Sequence, residues 1–246
     1  MFKRIALSIV VAACAATAAE VPSADAVFGK YLEASGGKAA YDKVKTMTTR
    51  GSIEFVGQGI KGTISIASAR PDRIDTVMEL PGIGKIRTAV SDGIAWRNSA
   101  IEGPAVLKGE ERDQYLRTAI FDAPARWREV YGEVKLDGED TLDGKPCWRI
   151  VATPPHAGKP ETLWFDRNTG LLIKSATTLV SPAGAIPVES LYLAYRDVEG
   201  LRLPVRIRQS MGSQVIETSL DDVKLNLELP PTQFDPPSEI RTLLSK

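Results

Sequence analysis

The sequence predicts a mainly β (α+β) fold, in which a curled antiparallel sheet is closed by helices. From Met47 onward, apolar and polar residues alternate in one short segment after another, as in strands with one buried face. Turn signals such as Gly57–Gly59 and Asp143–Gly144 separate these segments. The pattern indicates about ten or eleven strands with only two or three helices. So many strands in one sheet must curl, and a curled sheet with an apolar inner face can enclose a ligand cavity.

The predicted helices lie before the sheet and in its middle. Ser23 is a candidate N-cap, and Gly36–Gly37 ends the helix that follows it. A second short helix is expected at Lys38–Lys45. Segment Gly109–Phe121 has apolar residues at helical spacing and two acids in its first turn, where the helix dipole favours them.

Length and composition indicate one globular domain, expected over residues 24–237. The chain has 246 residues, of which 43% are hydrophobic and 25% are charged, so a disordered chain is excluded for most of its length. The 31 basic and 31 acidic residues cancel, so the chain has no net positive charge for general binding of nucleic acid, and a nucleic-acid partner is not expected. The Pro-rich stretch Leu229–Pro237 cannot be a central strand, and residues 238–246 are expected to form a flexible tail.

The first residues are typical of an export signal. Lys3 and Arg4 precede an uncharged run that is too short to span a bilayer as a helix. Ala16–Ala18 is a small-x-small cleavage site, which predicts a signal peptide at residues 1–18 and a periplasmic protein. A later site of the same kind is Ala24–Ala26.

A second interpretation of the same segment is lipidation. Residues 11–14, Val-Ala-Ala-Cys, are similar to a bacterial lipobox, in which the cysteine is acylated and becomes the first residue. The signal would then be residues 1–13. Cys14 would anchor the protein in the outer membrane, facing the periplasm. Without this lipid anchor, the protein would contact a membrane only peripherally.

Few residues are available for catalysis or for metal binding. One His and two Cys cannot supply a His/Cys zinc site, so neither a metal nor a cofactor is expected. His156 lies in a Pro/Gly loop without a partner His, and Cys147 lies in an apolar run, as a small buried hydrophobe does. The sequence has no phosphate-binding loop, dinucleotide fingerprint or nucleophile elbow, and the protein is expected not to be an enzyme.

Five segments together suggest a family. In order along the chain they are Tyr31–Gly37, Ser91–Trp96, Glu161–Leu172, Tyr195–Pro204 and Phe234–Pro237. In this order and spacing the chain resembles the LolA-like outer-membrane lipoprotein-sorting proteins of bacteria. The resemblance covers about residues 24–237. It implies an incomplete antiparallel β-barrel closed by helices, with an apolar cavity for acyl chains. No acyl-contacting residue of the family is matched to a position in this chain.

Two functions follow from this resemblance and from the strand pattern. The first is a non-enzymatic binding protein for lipid or lipoprotein acyl chains, in lipoprotein sorting or lipid transport. Its cavity would be lined by residues on the apolar strand faces: Phe55, Ile64, Met78, Ile86, Trp96, Phe165, Leu193 and Val205. An acyl chain needs only apolar area, since each buried methylene group contributes about 0.8 kcal/mol. The alternative is an envelope sensor or interaction module that binds a protein partner.

Overall fold

In the described part of the chain, thirteen antiparallel strands form a single open sheet, and five helices accompany it. The computed structural model describes residues 21–155, 158–181 and 184–245. Its strands are β1 Thr46–Phe55, β2 Ile60–Ala69, β3 Arg73–Leu80, β4 Gly84–Ser91, β5 Ile94–Ser99, β6 Gly103–Val106, β7 Glu133–Leu142, β8 Lys145–Thr153, β9 Glu161–Asp166, β10 Leu172–Ser181, β11 Gly184–Val198, β12 Leu201–Met211 and β13 Gln214–Leu225. The helices are α1 Ala24–Ala34, α2 Lys38–Asp42, α3 Gly109–Thr118, α4 Trp127–Val130 and α5 Ser238–Leu244.

The strand order confirms the predicted incomplete barrel. Across the sheet it runs β6-β5-β4-β3-β2-β1-β13-β12-β11-β10-β9-β8-β7. Two meanders are joined where β1 pairs with β13, and the sheet ends at β6 and β7 without closing. Two-residue and longer turns connect neighbouring strands, which is why alternation and turn signals were sufficient to predict the sheet class.

Side chains of successive residues point to opposite sides of the sheet, and the two sides differ in what covers them. We call the side that carries α1, α3 and α4 the inner face. Val90 and Ala95 are paired neighbours on this face and pack with Ala119, just after α3. The opposite side is the outer face. There Ala89 pairs with Trp96, and both pack against Ile240 of α5.

Helix α1 forms as the sequence predicts and anchors one half of the inner face. The Ser23 hydroxyl accepts a hydrogen bond from the Ala26 amide at 3.1 Å, as an N-cap does. Phe28 is buried, stacks on Trp127 with ring centroids 4.4 Å apart and meets Phe165 edge-on. This aromatic group fixes α1 and α4 over strands β8 and β9.

Helix α3 spans the inner face between the two meanders. Glu111 forms an ion pair with Arg97 of β5, with the nitrogen and oxygen 3.0 Å apart. On the other side, Gln114 donates to the Thr178 carbonyl at 2.6 Å and accepts from the Val180 amide at 3.0 Å. These contacts hold α3 across the hollow of the curled sheet, with strands from both halves as supports.

The C-terminal segment differs from the flexible tail expected at residues 238–246. Residues 238–244 form α5, and Ile240 has no exposed surface. Just before α5, Gln233 donates to the Asp75 carboxylate at 2.7 Å, and Arg87 donates to the Gln233 carbonyl at 2.8 Å. Phe234 packs on two alanines of β2. The segment therefore covers the outer face of the first meander, a long-range contact that no local sequence pattern encodes.

Two features of the sequence analysis lie outside the described residues, namely the N-terminal segment with Cys14 and the loop residue His156. Among the residues that are described, no helix is long and apolar enough to cross a membrane.

Candidate functional site

A cavity of about 400 Å³ lies between the α3–α4 region and the inner face of β9–β12. Its apolar wall comes from both the sheet and α4: Val130, Leu163, Leu172, Leu179, Val188 and Met211. Its polar wall consists of Gln114, Arg117, Thr118, Tyr131, Glu161, Ser175, Thr177, Thr178, Ser190, Tyr192 and Gln209. The volume falls within the range of small-molecule sites. The hollow of the curled sheet is therefore not completely filled by side chains.

Among its described lining residues, this cavity has one charged pair. Arg117 of α3 and Glu161 of β9 approach to 3.3 Å, and each side chain is only 15% exposed. The Tyr131 hydroxyl donates to the other oxygen of the Glu161 carboxylate at 3.1 Å. The carboxylate thus has a cationic donor and a neutral donor, as a largely buried carboxylate requires.

A row of neutral polar groups continues along the sheet wall. The Ser175 and Tyr192 hydroxyls lie 3.4 Å apart, and the Gln209 amide donates to the Ser190 hydroxyl at 3.2 Å. Ser175, Ser190 and Gln209 are direct neighbours across β10, β11 and β12, and Val188 and Met211 form the adjacent apolar pair on the same face. The wall can therefore hold an apolar chain and also offer hydrogen bonds to ester, amide or hydroxyl groups.

The inner tyrosines are neutral donors. Burial raises the pKa of Tyr31, Tyr131, Tyr192 and Tyr195, and for Tyr131 the nearby Glu161 carboxylate adds to that rise. The Tyr195 hydroxyl donates to the Leu172 carbonyl at 2.6 Å. Their hydroxyls therefore remain protonated at neutral pH and cannot act as bases there.

A second, more polar hollow of about 750 Å³ adjoins the first and shares Arg117 with it. Its charged groups are paired: Arg126 lies 2.5 Å from Asp72, and Arg112 lies 3.2 Å from Asp113. Arg117 therefore lies at the boundary between the cavity of about 400 Å³, whose wall is partly apolar and partly polar, and this more polar hollow.

Several predicted site residues lie together on the inner face, but away from this cavity. Phe55, Met78 and Ile86 pack in one cluster near the β1–β2 and β3–β4 turns, with Ile53 and Ile216 at its buried centre. Ile64 is 8% exposed and pairs with Met78 across the sheet. Met211 belongs both to this cluster and to the wall of the cavity, so the two regions adjoin.

Phe165 and Val205 are also buried on the inner face. Phe165 is covered by Phe28 and Tyr31 of α1, with ring centroids 5.3 and 5.4 Å away. None of the eight predicted residues lines the cavity of about 400 Å³.

Two of the predicted lining residues do not face the inner side. The turn at Asp92–Gly93 pairs Ser91 with Ile94, so Trp96 pairs with Ala89 and lies on the outer face under Ile240. Leu193 is the extra residue of a β-bulge and is 46% exposed. In both cases the register of the sheet, rather than hydrophobicity, decides which face the side chain occupies.

The sequence analysis missed the polar lining of the cavity, although strand parity contained a signal for it. Residues two apart in a strand share a face, so the inward positions of Leu163 and Phe165 also place Glu161 inward. The same argument applies to Gln209, which shares its parity with Val205. Arg117 comes from a separate helix, and its approach to Glu161 depends on the tertiary structure alone.

The remaining chemistry in the described residues is sparse. No group of three or more His, Cys, Asp or Glu side chains there could hold a metal ion. Cys147 has no exposed surface, and burial raises the pKa of its thiol. It is therefore a packed side chain and not an activated nucleophile.

Comparison with known proteins supports a fold and no closer relationship. No family model and no curated protein sequence matches the chain. A DUF1329 family protein from Desulfovibrio piger superposes with a TM-score of 0.59 at 11% identity, over 86% of this chain and 96% of that one. A LolA superfamily protein from Nitrosomonas europaea gives 0.58 at 14% identity, over 88% and 99%. A domain from Vibrio parahaemolyticus named for outer membrane lipoprotein sorting gives 0.56 at 11% identity, over 89% and 100%. This chain therefore has the LolA-like fold.

Proposed function

We propose that this protein is a non-enzymatic cell-envelope protein that binds a lipid or a lipoprotein acyl chain in the cavity between the α3–α4 region and β9–β12. The observation that supports the proposal is a hollow of about 400 Å³ with an apolar wall. Each methylene group that enters such a wall contributes about 0.8 kcal/mol, so a long acyl chain can bind without any catalytic or charged group. Known proteins with this fold include one named for lipoprotein sorting.

Filling the cavity tests this proposal directly. Val188 is 5% exposed and lines the cavity, whereas its neighbour Glu189 points to the outer face and is exposed. We expect Val188→Trp to weaken binding of an uncharged fluorescent lipid probe at least about tenfold, which corresponds to about 1.4 kcal/mol. Glu189→Trp is the matched control and should bind as the wild type does.

Two measurements complete the test. Circular dichroism checks that both variants are folded, since added volume can disturb a packed wall. Mass spectrometry of an organic extract from the mildly purified protein should detect a co-purified lipid. A wild-type protein that is lipid-free and also ignores the probe would contradict the proposal.

A partner protein is the second candidate, and the polar hollow of about 750 Å³ favours it. Its rim carries ion pairs that include Asp113 and Glu129, and such a rim would suit a partner surface that is itself polar. A photo-crosslinker at position 113 should then capture one defined envelope protein in cells, while the same crosslinker at position 189 on the outer face should not. If both positions give the same products, this candidate is ruled out.

We also propose export to the periplasm, with residues 1–18 removed as a signal peptide. The alternative is acylation of Cys14 and an anchor in the outer membrane. The intact mass of the mature protein from periplasm and from membranes distinguishes these outcomes, because acylation adds the mass of the lipid to a chain that begins at residue 14. A full-length chain that keeps residues 1–18 would contradict both.

A further inference from the structure

The charges that line the inner cavity cancel. Arg117 and Glu161 are the cationic and the anionic side chains of its wall, and they pair with each other at 3.3 Å. The other polar lining groups are hydroxyls and amides, and Tyr131 and Tyr192 are kept neutral by burial. A ligand that enters the cavity therefore meets no uncompensated positive charge among the described lining residues.

This pairing disfavours an anionic ligand. A carboxylate that approaches Arg117 must also approach the Glu161 carboxylate, whose second oxygen is held in place by Tyr131. The ligand carboxylate and the Glu161 carboxylate would repel each other, and removal of the ligand carboxylate from water adds a further cost. The Arg117–Glu161 pair can therefore reject one class of ligand by charge while leaving apolar contacts unchanged.

Among the residues that the structure describes, the adjoining polar hollow presents no unpaired arginine to an anion. Its arginines are already paired, Arg126 with Asp72 and Arg112 with Asp113. The carboxyl group of a bound fatty acid would therefore lie near ion pairs in both hollows, because the arginines described there already have carboxylate partners. By contrast, an ester, amide or hydroxyl group needs only neutral partners, and Ser175, Ser190 and Gln209 provide them along the wall.

We propose that the cavity selects amphiphiles whose polar end carries no net charge, such as acyl esters of glycerol, over free fatty acids, and that Glu161 is the residue that sets this selectivity. The inference rests on the proposed function, because it concerns the ligand of the same cavity. It assigns to Glu161 a specificity role that is separate from the apolar affinity of the wall.

The test compares two ligands with the same acyl chain, monopalmitoylglycerol and palmitate, at pH 8. Each displaces an uncharged fluorescent lipid probe from the full mature protein. We expect the wild type to bind monopalmitoylglycerol at least about tenfold more tightly than palmitate. Glu161→Gln keeps one oxygen as an acceptor for Arg117, and its amide nitrogen can donate to the Tyr131 hydroxyl. The substitution removes the negative charge, so the ratio should fall to about threefold or less.

Matched variants separate selectivity from folding. Glu189 makes an ion pair with Lys174 on the outer face, and Glu189→Gln should leave the ratio unchanged. Arg117→Gln leaves the Glu161 carboxylate without its cation, and the ratio should rise. If a variant does not fold, the ratio of the wild-type affinities for monopalmitoylglycerol and palmitate still tests the inference.

The outcomes are distinct. Palmitate binding as tightly as monopalmitoylglycerol in the wild type would overturn the inference, because the polar end would then lie outside the cavity. An unchanged ratio in folded Glu161→Gln would also overturn it. Failure of the wild type to bind the probe or either ligand would instead reject the proposed lipid-binding function.

Discussion

Ile240 of α5 gives the sharpest test of the structure, because the sequence analysis expected this residue in a flexible tail. In the structure Ile240 has no exposed surface and packs on Ala89 and Trp96 of the outer face. Ile240→Ala removes three carbon atoms, which at about 0.8 kcal/mol each contribute about 2.4 kcal/mol. The cavity left behind adds to this, so we expect a loss of about 2 to 4 kcal/mol in the free energy of unfolding.

Urea unfolding followed by tryptophan fluorescence measures this loss, since Trp96 lies directly beneath the substituted side chain. Leu243 is in the same helix and is 37% exposed, so Leu243→Ala is a matched control that should cost less than about 1 kcal/mol. Binding of the lipid probe should be the same in both variants, because α5 lies on the face opposite the cavity. Equal midpoints for the two variants would show that α5 does not pack on the sheet, and the reasoning would be refuted.

Further predictions concern the inner face, the helix cap, the tyrosines and the thiol. Phe28→Ala removes a ring that is 2% exposed and stacked on Trp127, so urea unfolding should show a loss of about 3 to 5 kcal/mol. Ser23→Ala removes the N-cap of α1 and should cost about 1 kcal/mol by the same assay; no change would mean that the cap contributes nothing. All 6 tyrosines have raised pKa values in the folded state, chiefly through burial, so tyrosinate absorbance should not develop near pH 10 unless the protein unfolds. Because the unfolded chain loses these protons first, stability is unaffected well below pH 10 and falls above it, which alkaline denaturation curves would check. The Cys147 thiol should react with a disulfide reagent only after unfolding, and rapid labelling of the native protein would contradict its burial.

Local patterns were sufficient to predict the class of the fold. Period-two alternation and turn residues such as Asp143–Gly144 predicted antiparallel strands that the structure contains, because these signals act between neighbouring strands. The helix after Ser23 was predicted for the same reason, since an N-cap is a local interaction. The short strand β6 escaped prediction because its four residues include Gly103 and Pro104, which are poor strand formers.

The residues of the candidate site were harder to predict from the sequence than the fold was. Ile64 lies on the inner face, but Trp96 lies on the outer face, because its face depends on the register set by the β4–β5 turn. Leu193 also lies off the inner face for a related reason, since a bulge changes which side of the sheet the residues of its strand face. Glu161 could have been found by parity alone.

The sequence by itself therefore determined the strand alternation, the local helix signals and the kind of fold to which they belong, because each depends on residues close together in the chain. Only the tertiary structure decided where the hollow remains open and what lines it. Arg117 and Glu161 are brought together by the packing of α3 across the sheet, and α5 is held by a face formed from distant strands. Such contacts join residues far apart in the sequence, and no local period records them.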